Sequence, residues 1–246
     1  MRQYHLGVGK GDVAPRVLLV GDPDRAERVA RHFERRLGEW RHREYVTITG
    51  TYRGLPITVT GTGIGPDNTE IAVIELAQCR RDLTLIRVGT CGGLQRGTRL
   101  GDLVVSTASV RLEATTRFFV PEGFPAVADL AVTQALVEAC RESGARHHVG
   151  ITASAPGFYG AQSRRVPGFT PLFADVPGDM ARLGVLNFEM ETSALFTLAS
   201  IGRLRAGAVC VVYAERRTGR VIRARDRAAA EASAIGVGLR AFEHLG

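Results

Sequence analysis

Arginine stands close to glycine at two points where apolar runs end. Gly21-Asp22-Pro23-Asp24-Arg25 follows the run Arg16–Val20, and Arg87-Val88-Gly89-Thr90-Cys91-Gly92-Gly93 closes the run Leu83–Val88. Where a strand ends and a helix begins, backbone N–H groups and the helix dipole favour an anion. Arg25 in the first helical turn could add a charged fork to such an anion, although an ordinary capped turn is the commoner use of Gly-Asp-Pro. Arg87 lies among Leu85, Ile86 and Val88, and a buried guanidinium costs several kcal/mol unless an acid or an anion pairs with it. A bound anion and a structural salt bridge are equal readings of Arg87 at this point. Thr90 sets a hydroxyl in the glycine-rich turn that follows. Gly61-Thr62-Gly63-Ile64-Gly65-Pro66 also leaves a strand and opens a helix, but it is not a dinucleotide fingerprint. Pro66 takes the sixth place, and the preceding strand belongs to a hairpin rather than to a βαβ unit. A bend or a close backbone approach explains these glycines better.

These segments need rigid elements to hold them, and the chain alternates short β-branched runs with helical patterns, the mark of a layered α/β domain. The spacing predicts strands over Arg16–Val20, Tyr45–Tyr52, Leu55–Thr60, Leu83–Val88, Leu103–Ala108, Val149–Ser154 and Ala206–Ala214. It predicts helices over Pro23–Phe33 with Asp22 as N-cap, Asp67–Arg80, Leu130–Ser143, near Met190–Ser200, and from about Arg225 to Leu245. Arg53-Gly54 makes a tight hairpin turn between two of the strands. Phe158–Asp175, rich in Gly, Pro and Arg, reads as a long functional loop. No repeat, linker or low-complexity block interrupts the chain, so residues 1–246 read as one domain.

Composition sets the outer limits. The 246 residues are 45% hydrophobic, enough for a sizeable core, which excludes a disordered chain or a small disulfide scaffold. The longest apolar run, Ala206–Ala214, is far short of the ~20 residues of a membrane helix. The N-terminus lacks the apolar stretch of a secretory signal, which makes the cytoplasm the default location. Cys79, Cys91, Cys140 and Cys210 are scattered, with no CxxC pair and no metal spacing, and are expected to be buried free thiols. A net charge of +7, carried by 31 Arg and the single Lys10, fits a nucleic-acid surface, a small-anion site or a solvated surface. Aromatics are only 7% and do not interleave with Arg, so a stacking nucleic-acid groove is not indicated.

Taken together, seven segments resemble the nucleoside phosphorylase family in order and approximate spacing. They are His5-Leu6-Gly7, Gly21–Arg25, His42-Arg43-Glu44, Thr62–Gly65, Arg87–Thr90, Phe158-Tyr159 with Gln162 and Arg164, and Asn187-Phe188-Glu189-Met190-Glu191. The resemblance runs from His5 to about Arg216 and is closest to bacterial uridine phosphorylases, a subgroup that Ser106–Leu112 and Phe124–Asp129 also resemble. It implies the three-layer α/β/α phosphorylase/hydrolase-like fold with a mixed central sheet, assembled as a homohexamer of dimers that share active sites. Nucleoside and inorganic phosphate would be the substrates, without an organic cofactor, nucleic acid or membrane partner.

Carried over residue by residue, the resemblance assigns phosphate to Gly21, Arg25, Arg87 and Thr90, with Arg43 reaching in from the neighbouring subunit. Ribose falls to Glu191, Met190 and the neighbour's His5, and the base to Phe158, Gln162, Arg164 and Arg216. Arg87, Gln162, Arg164 and Arg216 are the residues expected to carry catalysis. Glu44, Ile64 and Asn68 match positions at which uridine phosphorylases hold a monovalent cation such as potassium; a plain polar contact is the other reading. Glu189 and Glu191, if on one helix, would point about 200° apart, which leaves Glu191 as the ligand and Glu189 as a cap or support. The match loosens at Tyr213-Ala214-Glu215-Arg216-Arg217, where the uridine subgroup commonly reads Val-Asn-Arg. Glu215 there keeps open a purine nucleoside phosphorylase, whereas Gln162 with Arg164 argues for a pyrimidine. A catalytically silent nucleoside-binding module is the alternative outside enzymes, and Thr218–Arg225 has no assignment.

Overall fold

A computed structural model describes residues 1–245. The chain first makes β1 (Arg16–Val20) and α1 (Pro23–Ala30). Proline in the first turn of α1 gives up an N–H that would have no partner there, and the Asp22 carboxylate accepts from Asp24 N at 3.0 Å. The helix stops at Ala30, short of the expected Phe33, because the chain turns into β2 (Arg35–His42). No residue of β2 is buried and it pairs with β3 alone, so this edge strand carries no apolar alternation for a sequence reading to find.

β3 (Tyr45–Tyr52) and β4 (Leu55–Gly61) form the expected hairpin, with Arg53 and Gly54 both at positive φ as a tight two-residue turn requires. There follow α2 (Pro66–Cys79), β5 (Thr84–Gly93), β6 (Leu103–Arg111), β7 (Ala126–Val127), α3 (Leu130–Glu142) and β8 (His147–Ser154). The chain ends with α4 (Val176–Arg182), β9 (Asn187–Glu189), α5 (Thr192–Gly202), β10 (Arg205–Glu215) and α6 (Ala224–Ala241). Two expectations change here. Gly89–Gly93 is the end of β5 rather than a turn, and the stretch before α5 is a short strand, with the helix starting only at Thr192.

The mixed sheet runs β10-β6-β8-β9-β5-β1-β4-β3-β2, and β10 also pairs with β5, so five strands close into a ring from which the others extend. Side chains of β1 alternate between two cores. Leu18 and Val20 pack with α1, α3 and α6, while Val17 and Leu19 pack with α2 and α5. Helices therefore cover both faces, as the three-layer expectation requires. Each fully buried Leu or Val contributes roughly 1.5–3 kcal/mol. All four cysteines are buried and free, and no helix among the described residues is long and apolar enough to cross a membrane.

Candidate active site

A cavity of about 740 Å³ opens where the parallel strands β1, β4, β5 and β10 reach their C-terminal ends, the place where α/β sheets bind ligands. Gly21 and Arg25 line it after β1, Gly63 and Ile64 after β4, Thr90, Cys91 and Gly92 on β5, and Tyr213 and Ala214 on β10. Phe158, Gln162, Arg164, Met190 and Glu191 complete the wall. Nine of the residues assigned above to phosphate, ribose or base thus meet in one space.

Arg87 is its central charge. Its Nε donates to Glu189 Oε2 at 2.9 Å and its Nη2 meets Glu191 Oε2 at 2.5 Å, with all three side chains buried. Burial disfavours the guanidinium's charge, but the Glu191 and Glu189 carboxylates outweigh it and hold Arg87 more firmly protonated than usual. The two readings of Arg87 are thus both present in geometry: it is salt-bridged, and it still lines the cavity. The expected divergence of Glu189 and Glu191 is corrected, because Glu189 ends a strand and Glu191 is the cap before α5, so helical periodicity does not separate them. Glu189 also accepts from Ser154 Oγ at 2.5 Å and from the backbone N–H of Glu191 and Thr192. Glu191 Oε1 accepts from Gly65 N at 2.7 Å, which gives the glycines before α2 their use: close backbone approach. Gly89 has a similar reason, since a Cβ there would lie 2.7 Å from Arg87 Nη2.

Beside Arg87, Arg25 is also buried, and its Nε faces Glu231 Oε2 of α6 at 3.2 Å. Arg28 pairs with both Glu231 and Asp22. Nothing near Glu231 in the sequence announces this role: it is an isolated acid in an Ala-rich helix, 206 positions along the chain from Arg25.

The opposite end of the cavity is cationic. Arg164 stacks over the Phe158 ring with 4.0 Å from guanidinium carbon to centroid, and its Nη2 lies 3.5 Å from Gln162 Oε1. Arg216 lies just behind this wall and donates to Gln162 O at 2.6 Å, and Gln162 Nε2 donates to Ala155 O at 3.1 Å. Among the described residues neither guanidinium has a carboxylate partner, and the Nε of each is buried without a hydrogen bond. Burial, then the nearby Arg164 charge, pushes Arg216 down to about 10. Tyr213 lines the cavity, but Glu215 does not. Glu215 faces a separate space of about 450 Å³ with Arg217 and Arg220, where Thr218 Oγ1 donates to it at 2.8 Å.

Comparison with known proteins fits this geometry. A family model described as the phosphorylase superfamily matches residues 15–241. The chain belongs to the phosphorylase superfamily. It is 47% identical to a uridine phosphorylase of Thermococcus kodakarensis, over 93% of this chain and 83% of that one. It is 38% identical to a uridine phosphorylase of Escherichia coli, over 98% and 97% of the two chains. A guanosine phosphorylase of Halorubrum lacusprofundi is 34% identical over 86% of this chain and 83% of its own.

Of the remaining expected residues, His5, Arg43, Glu44 and Asn68 do not line this cavity in the single chain. His5 Nδ1 contacts Glu75 Oε1 at 2.7 Å, and its carbonyl accepts from His42 Nδ1 at 2.9 Å. Arg43, exposed and at positive φ, donates from Nη2 to Tyr4 Oη at 3.0 Å with its guanidinium over the Tyr4 ring. His5 and Arg43 thus share one surface region and do not line the cavity. Asn68 and Glu44 both approach Gly63, while Ile64 is exposed at the cavity rim.

Proposed function

We propose that this superfamily member is a uridine phosphorylase, converting uridine and phosphate reversibly to uracil and ribose 1-phosphate, with deoxyuridine or thymidine as further substrates. The observation that carries the pyrimidine reading is the base end of the cavity: an amide, Gln162, with Arg164 and Arg216 beside it and no carboxylate paired to either. Phosphorolysis at the anomeric carbon passes through an oxocarbenium-like state as the base departs with negative charge. Arg164, which lines the cavity without a carboxylate partner, suits uracil's carbonyl oxygens as that charge grows, with Arg216 behind the wall adding positive potential, and a preorganised donor of this kind is worth ~10²–10³ in rate. A purine leaving group needs a proton donor at N7. Glu215, the acid that kept that reading open, faces away from the cavity, which favours the pyrimidine.

Arg25, Arg87, Thr90 and the Gly21 backbone take the phosphate in this reading, and Glu191 takes the ribose hydroxyls with Met190 against the sugar. Within one chain, Arg25, Arg28 and Arg87 are matched by four carboxylates, Asp22, Glu231, Glu189 and Glu191, so this end has no surplus positive charge for a phosphate dianion. That deficit supports Arg43 entering from a second subunit, with His5 of the same neighbour beside the sugar, in a homohexamer built of dimers. Glu44, Asn68 and the Ile64 backbone would hold a monovalent cation at that interface, where a carboxylate and an amide oxygen are suitable hard donors. Four free thiols fit a reducing cytoplasm.

The test is base release from uridine, inosine and methylthioadenosine, each with and without phosphate. Uridine cleavage that requires phosphate is expected. Release indifferent to phosphate would overturn phosphorolysis, and a preference for inosine would overturn the pyrimidine assignment.

A further inference from the structure

We propose that Glu231 is a positioning residue for phosphate, acting through Arg25; the inference rests on the assignment of Arg25 to the phosphate end of the cavity. Glu231 lies on the C-terminal helix α6 and is 8% exposed. Its Oε2 faces Arg25 Nε at 3.2 Å, and its Oε1 takes Arg28 Nε. Arg28 in turn pairs with Asp22, which caps α1 and lines the cavity. Arg25 Nη1 lies 3.5 Å from Val88 O, at the root of the Arg87 strand end. Glu231 thus sits against the Nε edge of the guanidinium as an ion pair, without an aligned hydrogen bond from Arg25 Nε, and the Nη edge remains to face the cavity.

The consequence is preorganisation. A free arginine side chain loses rotamer freedom when it captures an anion, and that loss weakens binding. Here the loss is met at folding, because the Arg25–Glu231 pair is almost fully buried and shielded from solvent. One carboxylate serving two guanidiniums also fixes α6 against the first turn of α1, so the C-terminal helix takes part in a site built mainly from strand ends. A competing role is charge damping: Glu231 would then only weaken the pull of Arg25 on phosphate. The two roles predict opposite signs.

Glu231→Gln decides between them. Glutamine keeps the shape but offers one acceptor, so its amide NH₂ must face one of the two guanidiniums as donor against donor. Positioning predicts a rise of ~10-fold in phosphate KM, the scale of losing one buried ion-pair contact, with uridine KM changed less than about twofold. In an Arg25→Met background the same substitution is expected to have no further effect on phosphate KM, which a merely structural role would not produce. Glu231→Asp, which keeps the charge but is too short to span both partners, is expected to raise phosphate KM several-fold, and it serves if the Gln variant does not fold. Unchanged or lowered phosphate KM in folded Glu231 variants overturns the proposal. Wild-type protein that cleaves uridine without phosphate overturns the underlying assignment instead, so the two failures are distinguishable.

Discussion

At Arg87 a single guanidinium ties together Glu189 and Glu191, the second of them the residue proposed to hold ribose. Glu191 is the sensitive partner, because burial pushes its carboxyl above the ordinary range while Arg87 pulls the other way. Protonating it removes the charge of the proposed ribose acceptor and one of the two carboxylates paired with Arg87, so kcat/KM for uridine should fall as pH drops through a pKa above the ~4.3 of a free glutamate. In Glu191→Gln that acid limb should vanish while kcat/KM is low throughout; an identical limb in the variant would assign the titration elsewhere. Gly89→Ala places a methyl where Arg87 Nη2 and Cys210 Sγ already lie, at 2.7 and 3.0 Å, so it should lower kcat/KM for phosphate with the fold retained, as read by circular dichroism. Arg164→Ala and Arg216→Ala should each lower kcat by ~10²–10³, and near-normal turnover in both would remove the charge-stabilising role.

Among elements, those with their own local signals were legible and those made by pairing were not. The β3–β4 hairpin follows from Arg53-Gly54, α1 from Asp22-Pro23, and α3 from Asp129, whose carboxylate accepts from Val132 N at 3.0 Å. Asp129→Ala should therefore cost ~1 kcal/mol in denaturant unfolding, the usual worth of a cap. β2 is an exposed edge, β9 has three residues, and α4 buries none of its residues, so none carries an apolar period. The run Gly89–Gly93 reads locally as a turn and becomes strand only because β10 and β9 pair with it. Packing imposes a similar demand at Gly207 on β10, where a Cβ would lie 2.4 Å from Val132 of α3. Gly207→Ala should destabilise by ~1–3 kcal/mol through overpacking, measurable as a lower midpoint of urea unfolding.

For the whole molecule, the ring of β5, β10, β6, β8 and β9 brings the ends of β5, β9 and β10 to one cavity and leaves His5 and Arg43 on another surface. If a second subunit supplies Arg43, mixing Arg43→Ala subunits with Glu191→Ala subunits should restore part of the activity that each lacks alone. No recovery on mixing would confine the site to one chain. The sequence by itself determined the layered α/β class and the residue types of the site, because glycine at strand ends, caps and arginines in apolar runs have local physical causes. The resemblance of their segments also singled out Arg25, Arg87, Gln162, Arg164 and Glu191, which line one cavity. Only the tertiary structure decided that Glu189 and Glu191 share Arg87, that Glu215 faces away from the base end, and that Glu231 holds Arg25. The Arg87 and Arg25 contacts join side chains 100 or more positions apart, and no local period encodes such pairings; the packing of helices on a closed sheet does.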